Sequence, residues 1–83
     1  MLNMEKENLR SLIVSDRDIC HGKPILKGTR VMVWQILELL ENGKTKGDIY
    51  AAYPSLPDKS VEASLEYATN KVKETSLINF SNE

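Results

Sequence analysis

From Val33 onward the apolar residues fall at helical spacing. Val33, Ile36, Leu37 and Leu40 follow the i, i+3, i+4, i+7 pattern of one helix face, widened by Trp34 and Leu39. The spacing predicts a helix over about 33–42, closed by Asn42-Gly43, since glycine readily takes the left-handed conformation past a helix end. Thr45, with Asp48 three residues on, reads as an N-cap with an approximate capping box. It opens a short helix over about 46–53, with Ile49, Ala52 and Tyr53 on one side and Pro54 ending it. Pro54-Ser55-Leu56-Pro57 forms the turn, in which Leu56 is a plug for the core. Pro57 suits the first position of a third helix over about 57–74. Val61, Leu65, Ala68 and Val72 make the buried stripe of that helix, and Lys59, Ser60, Glu62, Ala63, Glu66, Tyr67 and Asn70 its outer side. The expected core is Trp34, Ile36, Leu37, Leu40, Ile49, Leu56, Val61 and Leu65.

Upstream the pattern changes. Residues 1–11 are polar and read as a flexible amino-terminal segment with at most a frayed helical turn. Leu12-Ile13-Val14 is a short β-branched run that suggests a strand, and Ser15 to Asp18 a turn. In CHGKPILKGTRVMVW, Gly22, Pro24 and Gly28 exclude a helix interior. Ile25-Leu26 and Val31-Met32-Val33 then flank Lys27-Gly28-Thr29 as a small hairpin or arm. The expected fold is mainly α: a three-helix, homeodomain-like helix-turn-helix domain over 12–74 with a short N-terminal β arm over 12–32. A tail over 75–83 offers Leu77, Ile78 and Phe80 to a partner.

Size and composition narrow the function. A chain of 83 residues makes one domain. It buries only roughly 60% of its unfolded surface, so dimerisation would help it. No run approaches the roughly 20 apolar residues of a membrane span, and MLNMEKENLR lacks the form of a signal peptide, so a cytoplasmic location is expected. The single cysteine, Cys20, sits beside the single histidine, His21. Two adjacent residues are a poor start for a four-ligand metal site, and no nucleophile has a histidine base supplied from another element. The expectation is a binding protein, not an enzyme, with no catalytic residues, metal or cofactor.

Charge enters through its distribution. The net charge is −1, which counts against tight DNA binding by a monomer through charge alone. Yet no acidic residue occurs from Ile19 to Leu37, where Lys23, Lys27 and Arg30 stand with Gly28 and Thr29. Lys44 and Lys46 lie before Asp48 at the start of the second helix, and Lys59 and Ser60 at the start of the third, so these eight side chains are the DNA-binding candidates: Lys23, Lys27, Thr29, Arg30, Lys44, Lys46, Lys59 and Ser60. The arm is not a P-loop, because Thr29 rather than lysine follows Gly28. A helical hairpin that serves only packing, with solvated charges, makes the same pattern. The alternative is therefore a protein–protein interaction module without DNA binding.

The stretch from Ile13 to Ala68 carries Asp16, Ile19-Cys20, Gly22-Lys23-Pro24, Lys27-Gly28-Thr29-Arg30-Val31, Leu39-Leu40 with Gly43, Tyr53-Pro54 with Leu56, and Leu65 with Tyr67-Ala68. It closely resembles the small prokaryotic domain-of-unknown-function family 433. The resemblance implies a helix-turn-helix protein of antitoxin type that binds operator DNA and holds a nuclease-like toxin of PIN type. A homodimer is expected on separate grounds, the small core and an extended arm whose alternating apolar residues suit pairing across a two-fold axis. Three positions depart from the family pattern. Arg17 stands where proline is usual, Met32 where proline is frequent, and Pro57 where a Ser or Thr cap is common.

Overall fold

In the computed structural model, which describes residues 9–75, the chain is a small, mainly helical domain with a short two-stranded antiparallel sheet. Strand β1 is Ile13–Val14 and β2 is Ile25–Leu26, with Ile13 opposite Leu26 and Val14 opposite Ile25. The helices are α1 (Val33–Glu41), α2 (Lys46–Ala52) and α3 (Ser60–Glu74). Residues 9–11, which the sequence places in the flexible segment, close a helical turn in which the Leu12 amide donates to the Leu9 carbonyl at 3.1 Å. Residues 1–8 of that segment lie outside the described residues, as do Leu77, Ile78 and Phe80 of the tail.

Each helix end has a local cause. Past the α1 C-cap Asn42, Gly43 takes φ +83°, its amide donates to Leu40 O, and the Lys44 amide donates to Leu39 O. These two bonds are a Schellman closure, and they absorb carbonyls that the end of α1 would otherwise leave unpaired. One residue later Thr45 caps α2. Its Oγ1 accepts from the Asp48 amide at 3.1 Å, and the Asp48 carboxylate accepts from the Thr45 amide at 2.9 Å. At the start of α1 the Gln35 side-chain oxygen accepts from the Met32 amide at 2.9 Å.

The third helix starts at Ser60, not at Pro57. Lys59 takes φ +67°, a left-handed conformation that breaks the helix before Ser60, and the Pro57 carbonyl accepts instead from the Ser60 hydroxyl at 2.5 Å. The connector between α2 and α3 is therefore residues 53–59, longer than the four-residue turn expected. Leu56 within it is buried, as a plug should be.

The core gathers Leu26, Val31, Val33, Ile36, Ile49, Leu56 and Val61, so that arm, all three helices and connector share it. Half of the expected core is there: Ile36, Ile49, Leu56 and Val61 are buried. Leu37 and Leu40 pack against its edge half-buried, while Trp34 is 49% exposed and Leu65 46% exposed. The phase of α3 is the main correction. Its buried residues are Ser60, Val61, Ala63 and Ser64, whereas the sequence pattern sets Ser60 and Ala63 outside. Small side chains there let α3 come close to α1, and the Ser64 hydroxyl is spent on the Ser60 carbonyl at 2.9 Å, so its burial leaves no unpaired donor.

Two substitutions separate core from rim. Ile36→Ala is expected to cost about 2–5 kcal/mol, the range for a fully buried aliphatic side chain, and Leu65→Ala less than about 1 kcal/mol. Urea unfolding followed by circular dichroism measures both. Equal losses would show that α3 is packed in the other phase.

Candidate nucleic-acid interface

The arm presents its cations through a tight turn. The Leu26 amide donates to Val31 O at 2.9 Å and the Thr29 amide to Leu26 O at 3.0 Å, closing the chain between them. Gly28 makes the turn with φ +78°, where a side chain would meet only open space, so glycine serves the backbone conformation. The Lys27 amide donates to Leu12 O at 2.7 Å, which ties the turn to β1 and leaves the Lys27 and Arg30 side chains exposed. Lys23 is exposed as well, just past a 3-10 turn at Cys20–Gly22 in which Cys20 and His21 both have positive φ. The Cys20 thiol donates to the Arg30 carbonyl at 3.5 Å, joining this turn to the hairpin.

Two of the expected contact residues are engaged within the fold. The Thr29 hydroxyl donates to Leu26 O at 2.7 Å and accepts from the Val31 amide at 2.9 Å, so it holds the turn. Ser60 is fully buried with its hydroxyl on the Pro57 carbonyl, so it cannot reach a base edge or a phosphate. The amides of α3's first turn are also used. That of Ser60 donates to Pro57 O and that of Val61 to the Tyr50 hydroxyl at 3.3 Å, which weakens the helix end as an anion cradle.

The arm's acid-free run is free of acids in sequence only. The Ile19 amide donates to Asp16 O at 2.8 Å and the Asp18 amide to the Asp16 carboxylate at 2.9 Å. That turn puts Asp16 with Ile19, Gly28, Thr29 and Arg30 around one open cleft of about 510 Å³. Asp16 lowers the positive potential the arm would otherwise hold.

The second group of cations lies at the starts of α2 and α3. Lys46 Nζ meets the Glu62 carboxylate at 2.5 Å, a pairing that joins the two helices. The bond to Glu62 holds the Lys46 ammonium above the ordinary lysine range, and the same bond holds the Glu62 carboxyl below the ordinary carboxylate range, helped by the charges of Lys46 and Lys59. Lys44 stands near Asp48, whose carboxyl is lowered first by the Thr45 amide and then by the Thr45 hydroxyl. Lys46 and Lys59 thus share the carboxylate of Glu62, and Lys44 faces that of Asp48. Glu62 is the residue that sequence reasoning misses: helical spacing sets it on a solvated face, and its i+16 relation to Lys46 has no signature in a linear reading. Arg10 and Glu66, 3.5 Å apart, likewise tie the amino-terminal turn to α3.

Among the described residues no group of His, Cys, Asp and Glu is placed to hold a metal ion, and no helix is long and apolar enough to cross a membrane.

The capping pair gives a test with a fixed sign. The folded-state Asp48 carboxyl is lowered, so its contribution to stability is full above its unfolded pKa and lost as pH falls through the folded value. Thr45→Ala is expected to lower stability by about 1 kcal/mol at neutral pH. Asp48→Asn, which removes the titrating carboxyl that the Thr45 amide holds, should flatten the acid limb of the stability–pH curve, read by thermal unfolding between about pH 2 and 6. An unchanged acid limb would show that the cap does not hold Asp48 in solution.

A profile of the family described as protein of unknown function (DUF433) matches residues 13–68. The crystal structure of a DUF433 member protein from Anabaena variabilis ATCC 29413 superposes with a TM-score of 0.69 at 23% identity, covering 88% of this chain and 71% of that one. No curated protein matches the chain.

Proposed function

The chain belongs to the DUF433 family, and from that premise we propose that it is an antitoxin-type regulator that binds operator DNA as a dimer through a helix-turn-helix, without catalysis. The observation that carries the reading is the linked pair α2 and α3, with Leu56 plugged beneath the connector and Lys44, Lys46 and Lys59 at the helix starts. In a helix-turn-helix the first helix crosses the phosphate backbone and the start of the second enters the major groove. Here that start carries Lys59, so base reading falls to Lys59 in place of Ser60, while Glu62 beside it holds Lys46. The arm adds Lys23, Lys27 and Arg30, which suit phosphates. Two copies carry a net charge of −2, so binding relies on where these cations stand together on one face and not on the total. The tie to a PIN-type toxin comes from the family resemblance. The exposed apolar side chains of α3 favour a second reading, a protein-interaction module without DNA contact.

Salt dependence divides the two readings. If each protomer meets about three phosphates, the log–log slope of affinity against salt is about −5 for a dimer. Lys27→Ala with Arg30→Ala is expected to weaken binding to all sequences alike and to flatten that slope by about 1 for each phosphate no longer neutralised. Glu62→Gln is expected to tighten binding and steepen the slope, because it releases Lys46 and removes an anion from the groove side. Fluorescence titration against the DNA upstream of the gene, at several salt concentrations, measures all of these. No salt-sensitive binding by the wild-type chain would leave the interaction module as the better reading.

A further inference from the structure

The dimer of that reading needs a surface, and α3 offers one. Its buried residues all lie within Ser60–Ser64. Beyond them Leu65, Ala68 and Val72 recur at intervals of three and four on one side, with Leu65 46% and Val72 72% exposed. Thr69 completes the strip. Its hydroxyl is spent on the Leu65 carbonyl at 2.9 Å, which leaves its methyl for the surface. Around Ala68 the strip is hollowed, a depression of about 370 Å³ lined by these four residues and Lys73.

We propose that this strip is a self-association face, on which a second copy of the chain seats its own α3 antiparallel, about a two-fold axis near Ala68 and Thr69. The inference rests on the dimer of the reading above and not on its DNA contacts. A second copy fits for two reasons. Antiparallel pairing about that axis sets Leu65 of each copy opposite Val72 of the other, with the small Ala68 letting the helices approach at the centre. Charge then selects the direction. Glu62 lies on one flank of the strip towards its amino end, and Lys73 lies on the same flank towards its carboxy end. Antiparallel pairing brings Lys73 of one copy towards Glu62 of the other, twice over, where it would join the Lys46 pair as a third member. Parallel pairing would leave Lys73 of each copy level with Lys73 of the other on opposite flanks, with no Glu62 within reach of either. A strip of four side chains on one helix buries less than the roughly 800 Å² per partner of an ordinary stable interface, which points to a reversible dimer.

Sedimentation velocity of the full chain without DNA, over roughly 5–200 µM, reads the association directly. The wild-type chain is expected to pass from monomer to dimer across that range. Val72→Asp should weaken the dimer at least about tenfold while leaving the helical circular dichroism unchanged, since Val72 stands largely in solvent within one chain. With Cys20→Ser removing the native thiol, Ala68→Cys should form a disulfide with its own copy. Leu65→Cys should cross-link to Val72→Cys in a mixture, and neither of the latter alone. A wild-type chain that stays monomeric overturns the proposal. If Val72→Asp then lowers the unfolding temperature, the strip is covered by another part of the same chain. A dimer indifferent to Val72→Asp, or one that cross-links Leu65→Cys to itself, places the interface elsewhere. DNA binding measured separately can fail while self-association stands, and the reverse, so the two readings are judged apart.

Discussion

The close approach of α3 to α1 is the constraint on which the rest of the domain depends. Val33 and Ile36 on α1 and Val61 on α3 are buried together, and the small Ser60, Ala63 and Ser64 around Val61 let the two backbones come near. Leu26 from the sheet, Ile49 from α2 and Leu56 from the connector then complete one cluster. With so few buried side chains no element is redundant. The arm, which on its own is two strands of two residues, is stable only because Leu26 is anchored under the helices. The same anchor fixes where Lys27 and Arg30 project.

Much of this was legible because its causes are local. Gly43 closes α1 and Thr45 opens α2 through contacts within a few residues, and both signals sit in the sequence in the expected form. The division into a β-type arm and three helices followed from a change of period at Val33. The helical wheel of α3 misled because the periodicity argument treats large apolar residues as buried. A helix pressed closely to its neighbour inverts that weighting: serine and alanine go inward, and leucine and valine are left outside. Pro57 misled in a similar way. Its preference for a first helical position is real, but Lys59 in a left-handed conformation delays the helix.

The candidate site was legible as residue types and not as an arrangement. Lys23, Lys27 and Arg30 do lie exposed on the arm. What a linear reading cannot give is the company the fold adds: Asp16 in the arm cleft, Glu62 on Lys46, Asp48 beside Lys44. Each cation run is thereby moderated by an anion from another turn. A surface built this way repels phosphate less than the net charge implies and attracts it less than the local runs imply. Such a balance makes binding sensitive to single charge changes and to ionic strength.

The junction between α1 and α2 has a mechanical consequence. Asn42, Gly43 and Lys44 all donate their amides to the last turn of α1, and the next residue is already the cap of α2. No residue there lies outside a cap or a closing bond, so the junction passes strain directly from one helix to the other. A partner that pulls on α2 would therefore load α1 through this junction and α3 through the Lys46–Glu62 pair and the bond from the Val61 amide to the Tyr50 hydroxyl. The effort of engagement is then felt in the core, at Ile36 and Val61, and an occupied surface would alter how fast buried amides open to solvent far from it.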